Sequence, residues 1–498
     1  MEVTFLLYAA IFSVTLIVLF RWKSSSSGKK LPPGPPGLPL IGNLHQLSDP
    51  LHRTFLKFSQ IYGDIMLLKF GTVNTLVLSS EEVTRHVIKN HDITFGARAV
   101  GRATRRLSYG VTDITFAPYG DYWREVRKIA VLELLSQKRV QSYRPVREEE
   151  IRILRDTILV NKSSVFDLSE LLYGLSNDIL CRVALGRKFV GDGKGKKTPY
   201  EILLETQAVA GAICWSDFFP GLEWLNKVNG FDAKVDKNFN ELDEIFETVI
   251  QDHMDPNRPT PTPESEDLVD VLLKIQEDKT RPVSAVPTFI KAIISDMFIG
   301  GTDTTAATLI WAMTELLRSP SAMKKATEEV RNLAKGKLVV EESDLPQLQY
   351  IKAVIKEAFR LHPPVPLLIP RETVEEVEIN GYTIPAKTMV FINTFSMSMD
   401  PKLWENPKEF RPERFLNSQI DYRGSHFEFL PFGVGRRACP GLNFAAVTVE
   451  NVIANLLFWF DWELPKGVAI EDVDMSEAVG LVVLKHIPLL VVAKPVNL

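Results

Sequence analysis

The chain has 498 residues, of which 45% are hydrophobic and 24% are charged. This composition is that of an ordinary globular protein, and it excludes a disordered, collagen-like or low-complexity chain. The 58 Lys and Arg residues and 62 Asp and Glu residues give a net charge of −4 at pH 7, so the excess positive charge typical of nucleic-acid binding is missing. Three cysteines are too few for a disulfide framework and favour a reducing compartment.

The first predicted element is a membrane-spanning helix. Residues 3–20 are uncharged and consist mainly of Leu, Ile, Val, Phe and Ala. At about 1.5 Å per residue they span about 27 Å, close to the thickness of a bilayer core. Basic residues follow this segment, beginning at Arg21, which places the rest of the chain on the cytosolic side and argues against a cleaved signal peptide. We therefore predict a membrane anchor at residues 1–22.

A basic and Pro/Gly-rich hinge is predicted next, at residues 23–39. Its segment LPPGPPGLP cannot be helical because proline fixes φ, so we expect a semi-rigid spacer. No later change in composition is large enough for a domain linker, and residues 40–498 are predicted to form one domain. Residues 65–80 predict a β-hairpin, after which helical periodicity dominates. The expected fold class is mostly α with small β-sheets.

Three basic residues cluster before the first long helices, at Arg102, Arg105 and Arg106. They face either an anionic group or water, and we favour water.

Two helices have well-marked ends, at residues 287–318 and 350–361. The first contains Gly300 and Gly301 at its centre, where each glycine costs about 1 kcal/mol relative to alanine. Either another element packs closely against the glycines, or a local distortion opens a groove for a ligand. We favour the groove, because Gly300 lies one turn before Thr304 and leaves space above its hydroxyl. With Asp303 alongside, an acid and an alcohol can relay protons to a bound group.

The third cysteine, Cys439, lies in the glycine-rich loop PFGVGRRACPG at residues 431–441. Glycines allow a flat ligand to approach the backbone closely. The helix predicted to begin at Leu442, together with Arg436 and Arg437, is expected to lower the pKa of the thiol. A thiolate on such a loop is suited to act as an axial iron ligand.

Other interpretations of the cysteines and of this loop are less favourable. Residues 433–438 match the dinucleotide fingerprint GxGxxA formally, but Pro431 spoils the preceding strand and too few residues follow to build a nucleotide-binding sheet. Cys181 and Cys214 lie in apolar sequence and are predicted to be buried small hydrophobic residues.

In combination, these motifs resemble those of the cytochromes P450. Five segments carry the resemblance in the order of the family: WREVR at 123–127, GGTDTT at 300–305, EAFR at 357–360, FRPERF at 410–415 and the cysteine loop at 431–441. The cysteine loop is similar to the haem-thiolate signature FGxGxRxCxG. The resemblance covers essentially the whole chain and is greatest to the plant microsomal A-type monooxygenases.

The resemblance implies a cytochrome P450 fold that encloses haem b, with Cys439 as the axial ligand of the haem iron. Asp303 and Thr304 match the acid–alcohol pair that delivers protons to dioxygen. The remaining site residues implied by the resemblance are the haem contacts Trp123, Arg127, Arg371, Phe432, Gly433 and Arg437; the structural network Glu357, Arg360 and Arg414; and the substrate pocket Ile293, Gly300, Gly301, Val365, Leu368 and Leu481.

The implied protein is a monooxygenase of the endoplasmic reticulum membrane with a cytosolic catalytic domain. Electrons come from NADPH through NADPH-cytochrome P450 reductase, because no flavin or nicotinamide motif occurs in the chain. Basic residues near the cysteine side are candidates for docking this partner, or are simply solvated: Arg124, Lys128, Lys138 and Arg139.

The expected substrate is a small hydrophobic plant specialised metabolite. A terpenoid or a terpenoid-derived indole alkaloid is favoured, with hydroxylation or oxidative cyclisation or aromatisation as the outcome. Two alternatives remain open: an isomerase or dehydratase on the same fold that needs neither oxygen nor a reductase, and a non-catalytic haem protein.

Overall fold

The computed structural model describes residues 30–48, 50–161, 164–188, 197–212, 214–262, 265–478 and 480–496. The predicted membrane anchor at residues 1–22 and the first part of the predicted hinge lie outside the described residues.

The described residues are mainly helical. Their α-helices are α1 Leu51–Tyr62, α2 Glu81–His91, α3 Arg102–Leu107, α4 Asp121–Lys128, α5 Gln137–Ser142, α6 Arg144–Val160, α7 Leu168–Leu185, α8 Pro199–Ala210, α9 Trp215–Phe218, α10 Glu223–Val228, α11 Phe231–Met254, α12 Leu268–Glu277, α13 Phe289–Arg318, α14 Pro320–Leu333, α15 Gln349–Leu361, α16 Thr394–Ser398 and α17 Leu442–Trp459. The helices predicted at 287–318 and 350–361 are confirmed as α13 and α15.

Small β-sheets pack at the edges of the helical body. The strands are β1 Ile65–Phe70, β2 Val73–Leu78, β3 Ala97–Arg98, β4 Val165–Asp167, β5 Arg371–Glu372, β6 Val377–Ile379, β7 Tyr382–Ile384, β8 Met389–Ile392, β9 Phe460–Glu463 and β10 Leu490–Pro495. One sheet has the order β1-β2-β8-β5-β3, a second β4-β10-β9, and a third pairs β6 with β7. The predicted hairpin is confirmed as β1 and β2, which pair antiparallel with Ile65 opposite Leu78.

Helix α13 forms the centre of the molecule. Its 30 residues are apolar on almost every side, as expected of a helix surrounded by protein rather than lying on the surface. It packs against α7, α15 and α17. Helix α17 is also long and apolar enough to cross a membrane, with a mean hydropathy of 1.3, but 72% of that stretch is buried within the protein. Its hydrophobicity is therefore explained by its place in the core.

The described part of the predicted hinge is attached to the body. The backbone N–H of Leu67, in β1, donates to the Pro33 carbonyl, and the Asn43 side chain donates to the Pro35 carbonyl at 2.9 Å. A Cβ at Gly34 would lie 2.1 Å from the Leu67 carbonyl oxygen, so this close approach requires glycine. The proline-rich segment is thus fixed against the sheet.

Candidate active site

A largely apolar cavity lies between α13 and the cysteine loop. On one side it is lined by the α13 residues Gly300, Gly301, Thr304, Thr305 and Thr308, and on the other by the loop residues Phe432, Gly433, Ala438, Cys439, Pro440 and Gly441. The fold therefore brings the two most unusual sequence motifs, separated by more than a hundred residues along the chain, to opposite walls of one space.

The thiol of Cys439 lies deep in the molecule, yet its surface is exposed to this cavity. Burial raises the pKa of the Cys439 thiol, while the Gly441 backbone N–H and the Arg127 guanidinium partly oppose the rise. The prediction that Arg436 and Arg437 lower this pKa is wrong, because desolvation dominates and Arg127 is the nearby cation. Bonding to a metal ion deprotonates a thiol outright, so the raised pKa remains compatible with an iron ligand.

The two central glycines of α13 have different surroundings. A Cβ at Gly300 would meet nothing within 4 Å, whereas a Cβ at Gly301 would lie 3.0 Å from Cδ1 of Leu180 in α7. Close packing against a neighbouring element therefore applies to Gly301, and open space for a ligand applies to Gly300. The helix continues through residues 300–305, so the space arises from the missing side chain at Gly300 rather than from a break in the helix.

The hydroxyl of Thr304 faces the cavity and is oriented by its own helix. Its Oγ1 donates to the Gly300 carbonyl oxygen at 2.7 Å. A hydroxyl oxygen that has donated its proton keeps two lone pairs, so Oγ1 can still accept a hydrogen bond from a proton-carrying group in the cavity.

Asp303 occupies a different position from the one expected. Its side chain is fully buried and does not line the cavity. Neither carboxylate oxygen has a hydrogen-bond partner within the part of the chain that the structure describes. Burial raises the pKa of Asp303 to about 7, and the nearby Gln207 amide partly opposes the rise. At neutral pH this carboxyl group therefore exists in both protonation states.

Four arginines converge on one edge of the cavity. They are Arg98, Arg127, Arg371 and Arg437. Their guanidinium groups are held by backbone carbonyls: Arg127 donates to Ala438 at 2.5 Å, and Arg437 donates to Ala117 at 2.7 Å. These bonds fix the orientation of the cations without neutralising their charge.

The charges of these arginines are poorly balanced by the protein. Burial and the neighbouring arginines lower the pKa of Arg98, and the same causes lower the pKa of Arg437 to about 10. Among the described residues, only Arg371 of the four forms an ion pair, with Asp92 at 3.0 Å. Burial also raises the pKa of the neighbouring carboxyl groups of Asp113 and Asp296, which reduces the negative charge they supply.

The site fits a flat ligand with carboxylate groups at one edge. Arginine holds carboxylates through charge-assisted, paired hydrogen bonds, and the surplus of buried cations requires such a partner. Glycines 433 and 441 leave room for a planar group beside the thiol. Haem b has this shape and charge, with its two propionates at one edge, so the residues present fit the cofactor that the sequence implies.

Arg98 is the cationic residue that the sequence-based site omitted. Its Nη1 donates to the Ile369 carbonyl at 2.5 Å, and its Nε donates to the Thr115 carbonyl at 3.1 Å. Nothing local in the sequence indicates that it points to the same edge as Arg371 and Arg437. The pairing of β3 with β5, which sets Arg98 opposite Arg371, brings them together.

Trp123 lines the same edge, but its donor is already used. Its indole N–H donates to the Ile114 carbonyl at 2.9 Å, and the guanidinium of Arg437 lies 4.4 Å from its ring centre. In this structure Trp123 supports Arg437 by a cation–π contact. Arg436, by contrast, is exposed and pairs with Asp92 outside the cavity.

Four of the six predicted substrate-pocket residues line the cavity. Gly300, Gly301, Val365 and Leu368 line the cavity, whereas Ile293 and Leu481 do not. Ile293 is 1% exposed and packs into the hydrophobic core, because the face of α13 that carries it turns away from the cavity. Asp296 lines the cavity and accepts hydrogen bonds from the Ile114 N–H and the Thr115 hydroxyl, so it fastens the 113–115 segment to α13.

The predicted structural network lies behind the cysteine loop. Glu357 receives two hydrogen bonds from Arg360, each 2.8 Å long, and one from Arg414 at 2.9 Å. The side chains of Glu357 and Arg360 are fully buried. The network therefore ties α15 to the segment around residue 414.

The two other cysteines are confirmed as buried residues. Cys181 is 0% exposed and Cys214 is 3% exposed. Burial raises the pKa of the Cys181 thiol to about 12, so it stays protonated at physiological pH.

Comparison with known proteins agrees with this geometry. The sequence profile of the family described as Cytochrome P450 matches residues 32–491. The chain belongs to the cytochrome P450 family. The P450 is 49% identical over 492 residues to "Cytochrome P450 71A9" of Glycine max, covering 99% of this chain and 98% of that protein. It is 46% identical to "Strychnine-11-hydroxylase" of Strychnos nux-vomica, covering 99% and 96%.

Solved structures show the same fold. A zebra fish cytochrome P450 described with abiraterone aligns to this P450 with a TM-score of 0.76 and 24% identity, covering 91% of this chain and all of the other. The protein is thus a plant-type P450 monooxygenase, an oxidoreductase that uses haem b. P450 monooxygenases generally act on hydrophobic substrates and receive electrons from a redox partner.

Proposed function

We propose that the protein is a membrane-anchored monooxygenase that uses NADPH-derived electrons and O2 to oxidise a small hydrophobic plant metabolite. The observation that carries the proposal is the placement of Cys439 and Thr304 on opposite walls of one cavity that is edged by four arginines. Haem b bound there would supply the redox chemistry that activates O2.

Each wall has a separate task in this proposal. Cys439 would hold the iron of a bound haem, and Arg98, Arg127, Arg371 and Arg437 would hold its propionates. The apolar residues Val365 and Leu368 exclude water and contact the substrate. These assignments deserve a direct test at the thiol, since every later step depends on it.

The decisive experiment replaces the three cysteines one at a time. We expect the reduced, carbon monoxide-bound protein to show the red-shifted Soret band of a thiolate ligand, and Cys439→Ala to abolish it. Cys181→Ala and Cys214→Ala are matched controls, because both thiols are buried away from the cavity and should leave the band in place. A thiolate band that persists in Cys439→Ala contradicts the assignment.

Proton delivery is assigned to Thr304, with Asp303 behind it as the proton store. The Thr304 hydroxyl faces the cavity, and Asp303 has a pKa of about 7 next to it in the chain. We expect Thr304→Ala to keep its haem while the product formed per NADPH falls by about 10-fold or more, since general acid–base groups contribute at least this much. Thr314→Ala, further along α13, is the control, because its hydroxyl is buried, donates to the Ile310 carbonyl and does not line the cavity. Equal coupling in both variants contradicts the relay.

The proposed electron donor is NADPH-cytochrome P450 reductase. The basic residues considered for its docking differ in availability: Lys128 and Lys138 are exposed, whereas Arg139 pairs with Glu266 at 3.4 Å and Arg124 with Asp121. Lys128 follows Arg127 directly, on the cysteine side of the cavity. We therefore assign the first contact with an acidic partner surface to these two lysines.

The substrate class is proposed as a terpenoid or a terpenoid-derived indole alkaloid, and the protein as an enzyme of the endoplasmic reticulum membrane. The apolar cavity lining and the relative named strychnine-11-hydroxylase support this choice. Incubating microsomes that contain the protein and a reductase with NADPH and a plant metabolite extract tests it. Consumption of only phenolic or fatty-acid components contradicts the terpenoid assignment.

A further inference from the structure

Residues 114–117, here called the clamp segment, have all four of their backbone N–H groups bonded to two carboxyl groups. The N–H groups of the first two residues donate to Asp296 of α13, at 2.5 Å and 3.3 Å. The N–H groups of the last two donate to Asp113, at 2.9 Å and 3.0 Å. The Thr115 hydroxyl also donates to Asp296, at 2.6 Å. The two carboxyl groups therefore set the backbone conformation of this irregular segment.

The carbonyl groups of the clamp segment accept hydrogen bonds from the cations at the edge of the cavity. Arg437 donates to the first and last of these carbonyls, at 3.3 Å and 2.7 Å. Arg98 donates to the second at 3.1 Å, and the indole of Trp123 donates to the first at 2.9 Å. One short stretch of backbone thus connects two carboxyl groups on its N–H side with two guanidinium groups on its carbonyl side.

Asp113 and Asp296, here called the carboxyl pair, lie within hydrogen-bonding reach of each other. Asp113 is 3% exposed, and Asp296 lines the cavity. Burial, together with the neighbouring charge of Asp296, raises the pKa of Asp113 well above its usual range. Burial also raises the pKa of Asp296 to about 6. Two buried carboxyl groups in contact ionise together only at a high cost, and they titrate as one unit.

Other charged and titratable groups surround the carboxyl pair. They are Arg98 of β3, Tyr122 and Arg127 of α4, Arg371 of β5, Asp92 after α2, and Arg437 of the cysteine loop. Burial raises the pKa of Tyr122 above its ordinary value of 10, so this hydroxyl stays protonated. Burial lowers the pKa of Arg437 only to about 10, so its charge is retained at neutral pH. Within this described group, the carboxyl pair is thus suited to change its charge above about pH 6.

We propose that the carboxyl pair holds one shared proton and, through the clamp segment, positions Arg98 and Arg437 to bind the propionates of haem. The inference rests on the proposed function, which assigns these arginines to the propionates. With the proton present, the pair carries one negative charge and accepts every N–H of the clamp segment. Without it, the two carboxylates repel each other and attract the guanidinium groups that the propionates need.

Haem binding should therefore weaken as the pH rises. A bound dianion favours the protonated form of the pair, so haem affinity is greatest where the shared proton is present. It is lost as the pH rises through the pKa of the pair, from about pH 6 upwards. Asp303 also titrates in this range, with a pKa of about 7, but it is unchanged in the variants that are compared.

The test measures the rate at which the holoenzyme loses haem to an excess of apomyoglobin, followed by the Soret band. We expect the wild-type rate to rise by about 10-fold between about pH 6 and pH 8.5, since one pKa unit of coupling corresponds to a factor of ten. In Asp113→Asn the rise should be less than about 2-fold, because the amide donates a permanent N–H to Asp296 and its oxygen still accepts from the clamp segment.

A second variant and two controls sharpen the test. Asp296→Asn should abolish the pH dependence in the same way, whereas Asp296→Ala removes the acceptor of three donors and should lose haem faster at every pH. Asp121→Asn is the matched control, because the Asp121 side chain is 93% exposed, and it should follow wild type throughout. Infrared spectra of the holoenzymes at about pH 6 should show a protonated carboxyl group that both asparagine variants lack.

The outcomes separate two failures. Equal pH dependence of haem loss in wild type and Asp113→Asn overturns the shared proton, as does faster haem loss from both asparagine variants at pH 6. A lower melting temperature of these variants with an unchanged pH profile identifies the pair as a structural support and also overturns the proposal. A wild-type protein without the carbon monoxide-bound Soret band of a thiolate ligand overturns the proposed function itself.

Discussion

The carboxyl group of Asp303 is buried where its ionised form is energetically unfavourable. The carboxyl group is fully buried, has no hydrogen-bond partner in the described part of the chain, and has a pKa raised by burial to about 7. Against an unfolded value of 3.8, this rise corresponds to about 4 kcal/mol lost from folding stability once the group is ionised. Strongly shifted pKa values of this kind cluster at functional sites.

The sign of the pH dependence follows from the raised pKa. Between about pH 4 and pH 7 the folded protein binds more protons at Asp303 than the unfolded chain does, so stability falls as the pH rises through this window. We expect Asp303→Asn to have a higher melting temperature than wild type, with a difference that grows from about pH 4 to pH 7 and is constant above it. Thermal unfolding followed at several pH values measures this difference.

A matched control for this prediction is Asp472→Asn. Asp472 is exposed, so the melting temperature of the Asp472→Asn protein should equal that of wild type at every pH. A difference between Asp303→Asn and wild type that does not vary between pH 4 and pH 8 contradicts the buried, titrating state of Asp303.

The identity of the residues alone did not show which arginines form ion pairs, face solvent or line the cavity. Arg102, Arg105 and Arg106 are near neighbours in sequence, yet two pair with α11 and one faces solvent. Arg436 and Arg437 are adjacent, yet only Arg437 enters the cavity edge. Since a long flexible cation reaches whatever acceptor the fold brings near it, its role depends on neighbours that are distant in sequence.

At the scale of the element, α13 is a buried core helix with open space beside one residue, Gly300. Its second half is almost fully buried, and the hydroxyls of Thr304, Thr305 and Thr308 donate to carbonyls four residues earlier. These bonds keep the polar groups satisfied inside an apolar environment. The missing side chain at Gly300 leaves open space on the face of the helix that lines the cavity.

The two glycines of α13 should respond differently to alanine. Gly300→Ala places its methyl group in open space and should stabilise the protein by about 1 kcal/mol, because alanine favours the helix interior. Gly301→Ala must displace Leu180, whose methyl carbons would lie 3.0 Å and 3.2 Å away, so its gain should be smaller or absent. The urea midpoint for loss of the carbon monoxide-bound Soret band ranks the two variants, and a larger gain for Gly301→Ala contradicts these surroundings.

The cysteine loop is supported from behind by another element. Helix α15 carries Glu357 and Arg360, and Arg360 also donates to the carbonyls of Ser398 and Pro407. A buried charge with several hydrogen bonds is costly to leave without its partner. The EAFR segment at residues 357–360 therefore fixes residues 398–414, which the sequence alone could not position.

At the scale of the whole molecule, the fold attaches the proline-rich segment to the body that contains the cavity. Residues 33–37 are hydrogen bonded to β1 and to Asn43, so the chain leaves the body at a fixed point just after the predicted anchor. The leucines next to this point, Leu38 and Leu40, are exposed at 50% and 71%. The segment thus presents apolar side chains where a membrane is expected.

We predict that residues 1–22 are the main membrane anchor. Their 18 uncharged residues are long enough to cross a bilayer core. The full-length protein should remain in microsomal membranes after alkaline carbonate extraction, whereas a variant lacking residues 1–22 should be released. Extraction of the full-length protein contradicts a spanning helix, and the carbon monoxide-bound Soret band of both forms controls for folding.

The sequence by itself determined the local elements and the chemistry. The hairpin at 65–80, the helices at 287–318 and 350–361, and the burial of Cys181 and Cys214 follow from periodicity and apolar context, which act over short distances. The glycine-rich cysteine loop indicated an axial iron ligand, and the resemblance of five segments to those of the cytochromes P450 implied a haem-thiolate enzyme.

Only the tertiary structure decided which side chains share the cavity. The pairing of β3 with β5 brings Arg98 to the cavity edge. Ile293 and Leu481 lie outside the cavity lining, and Asp303 is fully buried and does not line it. The structure also showed that burial outweighs nearby cations at Cys439, and that α11 neutralises two of the three clustered arginines. These outcomes depend on contacts between residues far apart in the chain, and on desolvation, which no local pattern encodes.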